Sequence, residues 1–198
     1  MSVLEAVYLI LPLLVAGAVH APVIKRNLLP ELARPLDFGR TYRGRPLFGA
    51  NKTWRGVLVM SSVGVLVVLA QAQLYSFELF RAISVVDYAE TSWLALGLAL
   101  GLSYSLSELP NSFLKRRLGI APGGVSRRRA LVQYIVDQAD SAVGGTLALA
   151  FFVGLEGVLV VVLVVGFWLH VAMDRLFFLL AVKRRNEVAP TLEGPWAC

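Results

Sequence analysis

The most informative stretch of the sequence reads Gln133-Tyr134-Ile135-Val136-Asp137-Gln138-Ala139-Asp140-Ser141-Ala142-Val143-Gly144-Gly145. It places two carboxylates inside a segment that otherwise resembles a membrane helix, expected from about 130 to 155. An aspartate near the centre of a bilayer costs several kcal/mol, so it is rare unless it faces protein, water or a cation. At 100° per residue, Asp137 and Asp140 lie on one helical face, and Ser141 and Gly144 extend that face with small side chains.

Two carboxylates three residues apart repel each other unless a cation or a basic group lies between them. The small side chains of the same face would let another helix, or a phosphate of a ligand, come close. The simpler alternative is that one carboxylate caps a helix and the other forms an interhelical ion pair. The stretch alone leaves both interpretations open.

Composition predicts an all-α integral membrane protein. Of the 198 residues, 57% are hydrophobic and the mean hydropathy is +0.69, which is more apolar than a soluble domain. The single cysteine, Cys198, can form neither an internal disulfide nor a zinc cluster. We expect one domain, 1–198, with about five transmembrane helices at about 3–23, 57–74, 93–108, 130–155 and 157–182.

The basic residues predict the topology of these spans. Eight Lys and Arg fall in the loop at about 24–56, six in the loop at about 109–129 and three in the tail at 183–185, whereas the second loop has only Arg81. The positive-inside rule therefore places the N-terminus outside, and both basic loops with the C-terminus in the cytoplasm, for a multi-pass protein of a plasma or inner membrane. Because the charge of +6 collects on one side of a membrane, nucleic-acid binding is not needed to explain it.

The first basic loop is rich in glycine and proline, which predicts an ordered, turn-rich segment. Around Asn51-Lys52-Thr53-Trp54-Arg55-Gly56 it offers positive charge, backbone N–H groups and a hydroxyl, all of which suit phosphate groups. It does not match the P-loop pattern. The alternative is a solvated loop whose charges only fix the topology.

The third span and the loop after it carry further polar residues. Gly97 and Gly101 form a GxxxG pair that favours close helix packing, and Pro110 is expected to end the helix soon after Glu108. In the last span, His170 shares a face with Asp174. For His170 we favour a hydrogen bond to a neighbouring helix over a ligand role.

Together these features suggest a site for a polyphosphate, a divalent cation and a lipid. Carboxylates bind Mg²⁺ through oxygen, while Lys and Arg neutralise phosphate groups. The sequence shows no Ser–His or Cys–His pair for nucleophilic catalysis. The apolar surroundings indicate that the second reactant is a lipid, with either ether-linked isoprenoid or ester-linked acyl chains.

Three stretches in order resemble the CDP-diacylglycerol synthases, and more closely their small five-span relatives, the CDP-archaeol synthases. They are the GKTxRG-like 51–56, the SFxKRRLGI-like 112–120 followed by Pro122-Gly123, and Asp137-x-x-Asp140. The sequence departs from the family pattern at Ala50-Asn51 and at Glu108-Leu109-Pro110-Asn111. These departures leave the identity of the lipid open.

The resemblance implies transfer of CMP from CTP to a lipid phosphate, giving a CDP-lipid and pyrophosphate, with Mg²⁺ as cofactor and CTP, the anionic lipid phosphate and membrane lipids as partners. Metal binding would fall to Asp137 and Asp140, with Glu108 as a further candidate, and catalysis to these two aspartates with Lys115 and Arg116. The nucleotide and its phosphates would be bound by Asn51, Lys52, Thr53, Arg55, Ser112 and Arg117. We assign the lipid phosphate to Arg40, Arg43 and Arg45.

Two other classes of protein remain as alternatives. A small non-enzymatic transporter or scaffold would use the carboxylates for a cation or proton path, although the repeated halves typical of transporters are not visible. A CDP-alcohol phosphotransferase also uses intramembrane aspartates, but its DGxxAR-type run is missing here. A homodimer is compatible with the sequence.

Overall fold

The computed structural model describes residues 1–126, 130–154 and 158–179, and they form a mainly helical chain. The helices are α1 (Val3–Lys25), α2 (Trp54–Leu74), α3 (Glu78–Ala82), α4 (Trp93–Arg117), α5 (Ala130–Val153) and α6 (Val158–Leu179). The first loop holds a 3₁₀ turn, Pro30–Leu32, and a small antiparallel hairpin of β1 (Thr41–Tyr42) and β2 (Arg45–Pro46). The predicted basic residues at 127–129 and in the tail at 183–185, together with Cys198, lie outside the described residues.

The helical fold class is confirmed, and five of the helices are long. Of the described helices, α1 and α2 are long and apolar enough to cross a membrane by length and composition. The count of five spans therefore stays a prediction. The short helix α3, in the second loop, was not predicted.

Polar side chains cap the starts of α1, α2 and α4. Ser2 and Glu5 form a capping box at α1, in which the Ser2 hydroxyl accepts from the Glu5 N–H at 3.2 Å and the Glu5 carboxylate accepts from the Ser2 N–H at 2.7 Å. Thr53 caps α2 and Ser92 caps α4 in the same way. Each cap satisfies an N–H group that the first turn of a helix leaves without a partner.

Helix α4 is longer than predicted, and the expected loop boundary at 109 is wrong. The helix continues through Pro110 to Arg117, and Gly119 follows it with a left-handed φ of 76°. A proline removes one helical hydrogen bond, but packed neighbours offset that loss inside a membrane protein. Here side chains beyond Pro110, on Asn111 and Lys115, bond to α5 and hold the last two turns in place.

Small residues allow α4 to pack closely between α2 and α5. A Cβ atom added at Gly97 would lie 2.5 Å from Val65 Cα, and one at Gly101 would lie 2.3 Å from Ser61 Cα. On the other side, a Cβ at Gly144 of α5 would lie 2.3 Å from Ser107 Oγ. The close packing predicted from the GxxxG pair and from the small face of α5 is thus confirmed.

The apolar core joins all five long helices. Its buried members include Leu9, Val68, Leu100, Leu149 and Val162 from these helices, and Val86 from the second loop. At the end of the bundle opposite the basic loops, Gln71 Nε2 donates to the Tyr8 carbonyl at 2.6 Å, and Tyr88 Oη donates to Gln71 Oε1 at 3.1 Å. These hydrogen bonds tie α1, α2 and the second loop together.

Candidate active site between α4 and α5

The two predicted aspartates face α4 and meet at one amide group. Asn111 Nδ2 donates to Asp137 Oδ1 at 2.6 Å and to Asp140 Oδ2 at 2.8 Å. Because α4 is helical past Pro110, Asn111 shares a face with Glu108 and Lys115, at spacings of three and four residues. This face of α4 and the aspartate face of α5 together form the carboxylate cluster: Glu108, Asn111, Asp137, Asp140 and Ser141.

A lysine lies at each end of the carboxylate cluster. Lys115 forms an ion pair with Asp137, and Lys52 of the first loop forms one with Glu108. Ser141 joins the two ends, since its hydroxyl lies 2.8 Å from Glu108 Oε1 and 3.1 Å from Asp140 Oδ1. The interhelical ion pair foreseen as the simpler interpretation is therefore present at Asp137, within a larger network that includes the second carboxylate.

Arg116 places a positive charge in a buried position beside the first loop. Its side chain is 5% exposed, and among the described residues neither its Nε nor its Nη1 has a hydrogen-bond partner. The backbone of Gly49 passes close by, since a Cβ added there would lie 3.4 Å from Arg116 Nη1 and 2.9 Å from Pro122 Cγ. A buried guanidinium with unused donors favours an anionic ligand, because burying an unpaired charge is costly.

The hairpin of the first loop is fastened to the end of α4 by two arginines. Arg117 donates to the backbone carbonyls of Tyr42, Arg45 and Pro46, and Arg45 donates to the carbonyls of Arg116 and Arg117. Both guanidinium groups are thus used in a loop-to-helix contact. Their predicted roles, nucleotide binding for Arg117 and lipid phosphate binding for Arg45, stay predictions.

Asp37 orders the first loop from inside. It is 6% exposed and accepts hydrogen bonds from the backbone N–H groups of Phe48 at 2.9 Å, Gly39 at 2.9 Å and Gly49 at 3.3 Å. Burial alone would raise the pKa of Asp37, but these N–H donors favour the charged form and hold its pKa below the usual value. Asp37 therefore fixes the backbone at Gly49, next to Arg116.

The remaining predicted phosphate ligands divide between structural contacts and exposed positions. Arg55 is 8% exposed and its Nη1 donates to Asn27 Oδ1 at 3.0 Å and to the Leu28 carbonyl at 2.9 Å, which closes the end of α1. The Thr53 hydroxyl accepts from the Gly56 N–H at 3.4 Å as the cap of α2. Ser112 is buried on α4. Three further residues, Arg40, Arg43 and Asn51, are exposed on the first loop.

His170 bonds to two neighbouring helices, which confirms the favoured interpretation. Its Nε2 lies 3.1 Å from Tyr104 Oη on α4, and its Nδ1 lies 3.3 Å from the Gln138 carbonyl on α5. The side chain of Asp174 lies outside the part of the chain that is described, so its pairing with His170 stays untested.

Sequence reasoning missed Asn111 and Asp37 as members of the site. A helix continued past Pro110 would have placed Asn111 one turn from both Glu108 and Lys115, so the signal was present but hidden by the proline. Asp37 carried a weaker signal, as one of two acidic residues, with Glu31, in a loop with eight basic ones. Gly39 is only two residues away, but Phe48 and Gly49 are 11 and 12 residues away, and only the folded loop brings their N–H groups to Asp37.

Asp137 and Asp140 fit a magnesium ion in the manner of phosphoryl-transfer sites. Within the described residues, no group of three or more His, Cys, Asp and Glu side chains forms a metal site. Mg²⁺ in such enzymes, however, is bound by one or two carboxylates while the substrate phosphates and water complete its coordination. The two aspartate oxygens converge on one point, now bonded to Asn111 Nδ2, and this donor set suits that arrangement.

Comparison with known proteins is decisive about the family. The profile of the CarS-like family, CDP-archaeol synthase, matches residues 1–186. The chain belongs to the CDP-archaeol synthase family. The resemblance drawn from the three stretches is confirmed, and the transporter or scaffold alternative falls, since the family is one of enzymes.

Curated relatives from several archaea carry the same name. The CDP-archaeol synthase of Pyrococcus furiosus is 38% identical over 61% of this chain and 64% of its own length. That of Halorubrum lacusprofundi is 36% identical over 76% and 82%, and that of Thermofilum pendens is 32% identical over 92% and 80%. The chain thus spans a little under two thirds of the Pyrococcus protein and most of the other two.

A solved structure supports the membrane setting. It is described as an intramembrane enzyme for archaeal membrane lipids biosynthesis, and it matches with a TM-score of 0.54 and 26% identity over 88% of this chain and 95% of that one. Together with the apolar helices α1 and α2, this match indicates that the chain is a membrane-associated enzyme.

Proposed function

We propose that this chain transfers CMP from CTP to a lipid phosphate, giving a CDP-activated lipid and pyrophosphate. One observation carries the proposal: Asp137 and Asp140 converge on the amide of Asn111, and Lys115 pairs with Asp137 at the same place. A pair of carboxylates surrounded by basic groups suits a triphosphate with its divalent cation. The name of the family supports a CDP-archaeol type of product.

The chemistry needs positioning and charge neutralisation more than a side-chain base. An oxygen of the lipid phosphate attacks the α-phosphorus of CTP and forms a new P–O bond. The bond from the α-phosphorus to the oxygen that bridges to the β-phosphate breaks, and pyrophosphate leaves with the electron pair. The attacking phosphate monoester is largely ionised near pH 7, since its second pKa is about 6, so no residue has to remove a proton.

Each charged group of the site then has a role. Asp137 and Asp140 would hold Mg²⁺, which when bound neutralises charge on the triphosphate. Lys115 and Arg116 bind the triphosphate oxygens. Lys52, held by Glu108 at the other end of the carboxylate cluster, contacts the α-phosphate as negative charge develops there.

Exposed residues of the first loop attract and orient the substrates. Arg40 and Arg43, exposed on and beside the hairpin, attract the anionic headgroup at the membrane surface, and Arg45 keeps the hairpin on α4. Asn51, exposed next to Lys52, orients the nucleotide. From the positive-inside rule we infer that both basic loops lie in the cytoplasm and the N-terminus outside.

A labelling experiment tests the proposal. Purified protein is incubated with a lipid phosphate and with CTP that carries radioactive phosphorus at either the α- or the γ-position. We expect the α-label in a chloroform-soluble product and the γ-label in pyrophosphate, and we expect EDTA to abolish both. A chloroform-soluble product that forms only when CDP-lipid replaces CTP, with release of CMP, would indicate a phosphotransferase instead. No transfer of the α-label would contradict the proposal.

A further inference from the structure

An apolar cleft adjoins the carboxylate cluster between α1, α5 and α6. The cleft is partly open, and its empty space of about 430 Å³ includes the part that is open to the surroundings. Leu13 and Leu14 of α1, Ala142 and Gly145 of α5, and Gly166 of α6 contribute to its walls.

The polar side chains that line the cleft are already bonded to protein groups. Tyr104 Oη and His170 Nε2 lie 3.1 Å apart, and His170 Nδ1 lies 3.3 Å from the Gln138 carbonyl. The Thr146 hydroxyl donates to the Ala142 carbonyl at 2.7 Å. The walls therefore present hydrocarbon, and a space of this kind favours an apolar guest over water.

One end of the cleft reaches the reacting groups. Ser141 lines the cleft, and its hydroxyl lies 2.8 Å from Glu108 Oε1 and 3.1 Å from Asp140 Oδ1. A guest in the cleft would therefore have hydrocarbon around most of its length and the carboxylate cluster at one end. This is the pattern of an alkyl chain that ends in a phosphate.

The depth of the cleft agrees with access from the bilayer. Leu14 lies about 16 Å along α1 from Lys25, and Ser141 lies about 16 Å along α5 from Ala130, at 1.5 Å per residue. Lys25 and Ala130 both belong to the basic, cytoplasmic end in the proposed topology. The cleft then lies about half-way through a hydrocarbon layer that is about 30 Å thick.

We propose that the cleft binds one alkyl chain of the lipid phosphate substrate and so places its phosphate beside Asp140 and Lys52. This inference rests on the proposed function and adds to it the site that selects the chain. Neither the isoprenoid nor the acyl class is required by the cleft, because its walls supply only hydrocarbon contact.

Gly166 allows the cleft to be filled without disturbing the fold. A Cβ added at Gly166 has no atom within 4 Å, so a leucine side chain there would extend into the empty space. Gly17 of α1 provides the matched control, since a Cβ there also has no atom within 4 Å and the residue does not line the cleft.

Two measurements test the inference. In the kinetic assay, Gly166→Leu should raise the KM for a long-chain lipid phosphate about tenfold or more and leave the KM for CTP and the use of a short-chain lipid phosphate unchanged. Gly166→Ala should give a smaller rise, and Gly17→Leu none. In the second measurement, which is photo-crosslinking, a lipid phosphate with a diazirine in its chain should crosslink to residues of the cleft in the original protein. It should not do so in the Gly166→Leu variant.

The outcomes separate this inference from the proposed function. An unchanged lipid KM in both Gly166 variants, or an equal rise in Gly17→Leu, overturns the inference while CMP transfer stands. Equal crosslinking by a lipid that lacks the phosphate monoester overturns it too, because the cleft would then hold bulk lipid. Crosslinking needs no turnover, so it decides the inference even if the labelling experiment finds no CMP transfer or Gly166→Leu fails to fold.

Discussion

Lys115 of α4 forms an ion pair with Asp137 of α5, and this contact closes one end of the carboxylate cluster. Both side chains are partly buried, at 17% and 33% exposure. The pair exists only because α4 continues past Pro110. The helix that contributes cations to the site is therefore the same one that contributes Glu108 and Asn111.

Asn111 should prove essential to both the stability and the activity of the site. Its amide donates to both aspartates, so Asn111→Leu leaves two facing carboxylates without their shared donor. We expect a loss of about 1–3 kcal/mol of stability and a fall in turnover of about a hundredfold or more. Thermal unfolding in detergent and the CMP-transfer assay measure the two effects. Leu114→Ala, at an exposed position of the same helix, is the control and should leave both nearly unchanged.

The contact between Arg45 and Arg117 should behave as one unit. Each arginine donates to backbone carbonyls on the other's segment, so losing either one releases the hairpin from α4. We expect Arg45→Gln and Arg117→Gln each to destabilise the protein by about 1–3 kcal/mol, and the double variant to cost less than the sum. Strictly additive losses in thermal unfolding would show that the two residues act separately.

Because of Asp37, the stability of the protein should depend on pH in a specific way. The pKa of Asp37 is lowered by the N–H groups of Phe48, Gly39 and Gly49, which overcome the effect of burial. The stability it contributes is therefore fully present above the ordinary aspartate pKa of about 3.9, and is lost as the pH falls through the lower pKa of the folded protein. Asp37→Asn should be less stable than the original protein at pH 7, and the difference should shrink below about pH 4.

The control for Asp37 is Glu31→Gln, which removes an exposed carboxylate from the same loop. Limited proteolysis of the first loop as a function of pH follows the effect locally. A difference between Asp37→Asn and the original protein that stays constant from pH 7 to pH 3 would contradict the role assigned to this residue.

Close packing of α2 and α4 should make Gly101 intolerant of even one methyl group. A Cβ there would lie 2.3 Å from Ser61 Cα, a backbone atom that cannot move away cheaply. We expect Gly101→Ala to destabilise the protein by about 1–3 kcal/mol, whereas Gly17→Ala, with no atom within 4 Å of the added Cβ, should not. Equal unfolding temperatures for these two variants would speak against the packing.

The proposed topology can be tested at the end of α4. A cysteine at Leu118, with Cys198 replaced by serine, should react with a membrane-impermeant maleimide only in inside-out vesicles. Leu118 is 67% exposed and so is accessible to the reagent. Labelling in right-side-out cells would place the basic loops on the face away from cytoplasmic CTP and would refute the proposed topology.

The sequence predicted the helical fold, the packing of Gly97 and Gly101, and the common face of Asp137 and Asp140. These features depend on hydrophobicity and helical periodicity, which are local properties. The sequence did not predict that α4 continues past Pro110. Proline weakens a helix locally, whereas the bonds that preserve α4 there come from side chains of α5. The sequence also could not foresee which basic residues are used in structural contacts, because Arg45, Arg55 and Arg117 find their carbonyl partners far away in the sequence.

The contacts between the first loop and α4 could not be predicted from local sequence either, because their partners are also far apart in the chain. Lys52 and Glu108 are 56 residues apart, and the residues that join the hairpin to α4 are separated by about 70 residues in the sequence. A charged residue in a basic loop has no local signal for whether it faces a phosphate or a neighbouring carbonyl. Arg116 shows the difference, since its burial and its unused Nη1 distinguish it from Arg117, whose Nη1 and Nη2 both donate to carbonyls.

The most direct test of the central claim compares the original protein with Asp137→Asn and Asp140→Asn in the CMP-transfer assay. Asparagine keeps the size of the side chain and removes the charge, so both variants should keep the unfolding behaviour of a folded membrane protein. We expect each to lower turnover by at least about a hundredfold, because a lost metal ligand removes several kcal/mol of charge stabilisation and about 1.4 kcal/mol is tenfold in rate. Near-original Mg²⁺-dependent turnover in both variants would contradict the account.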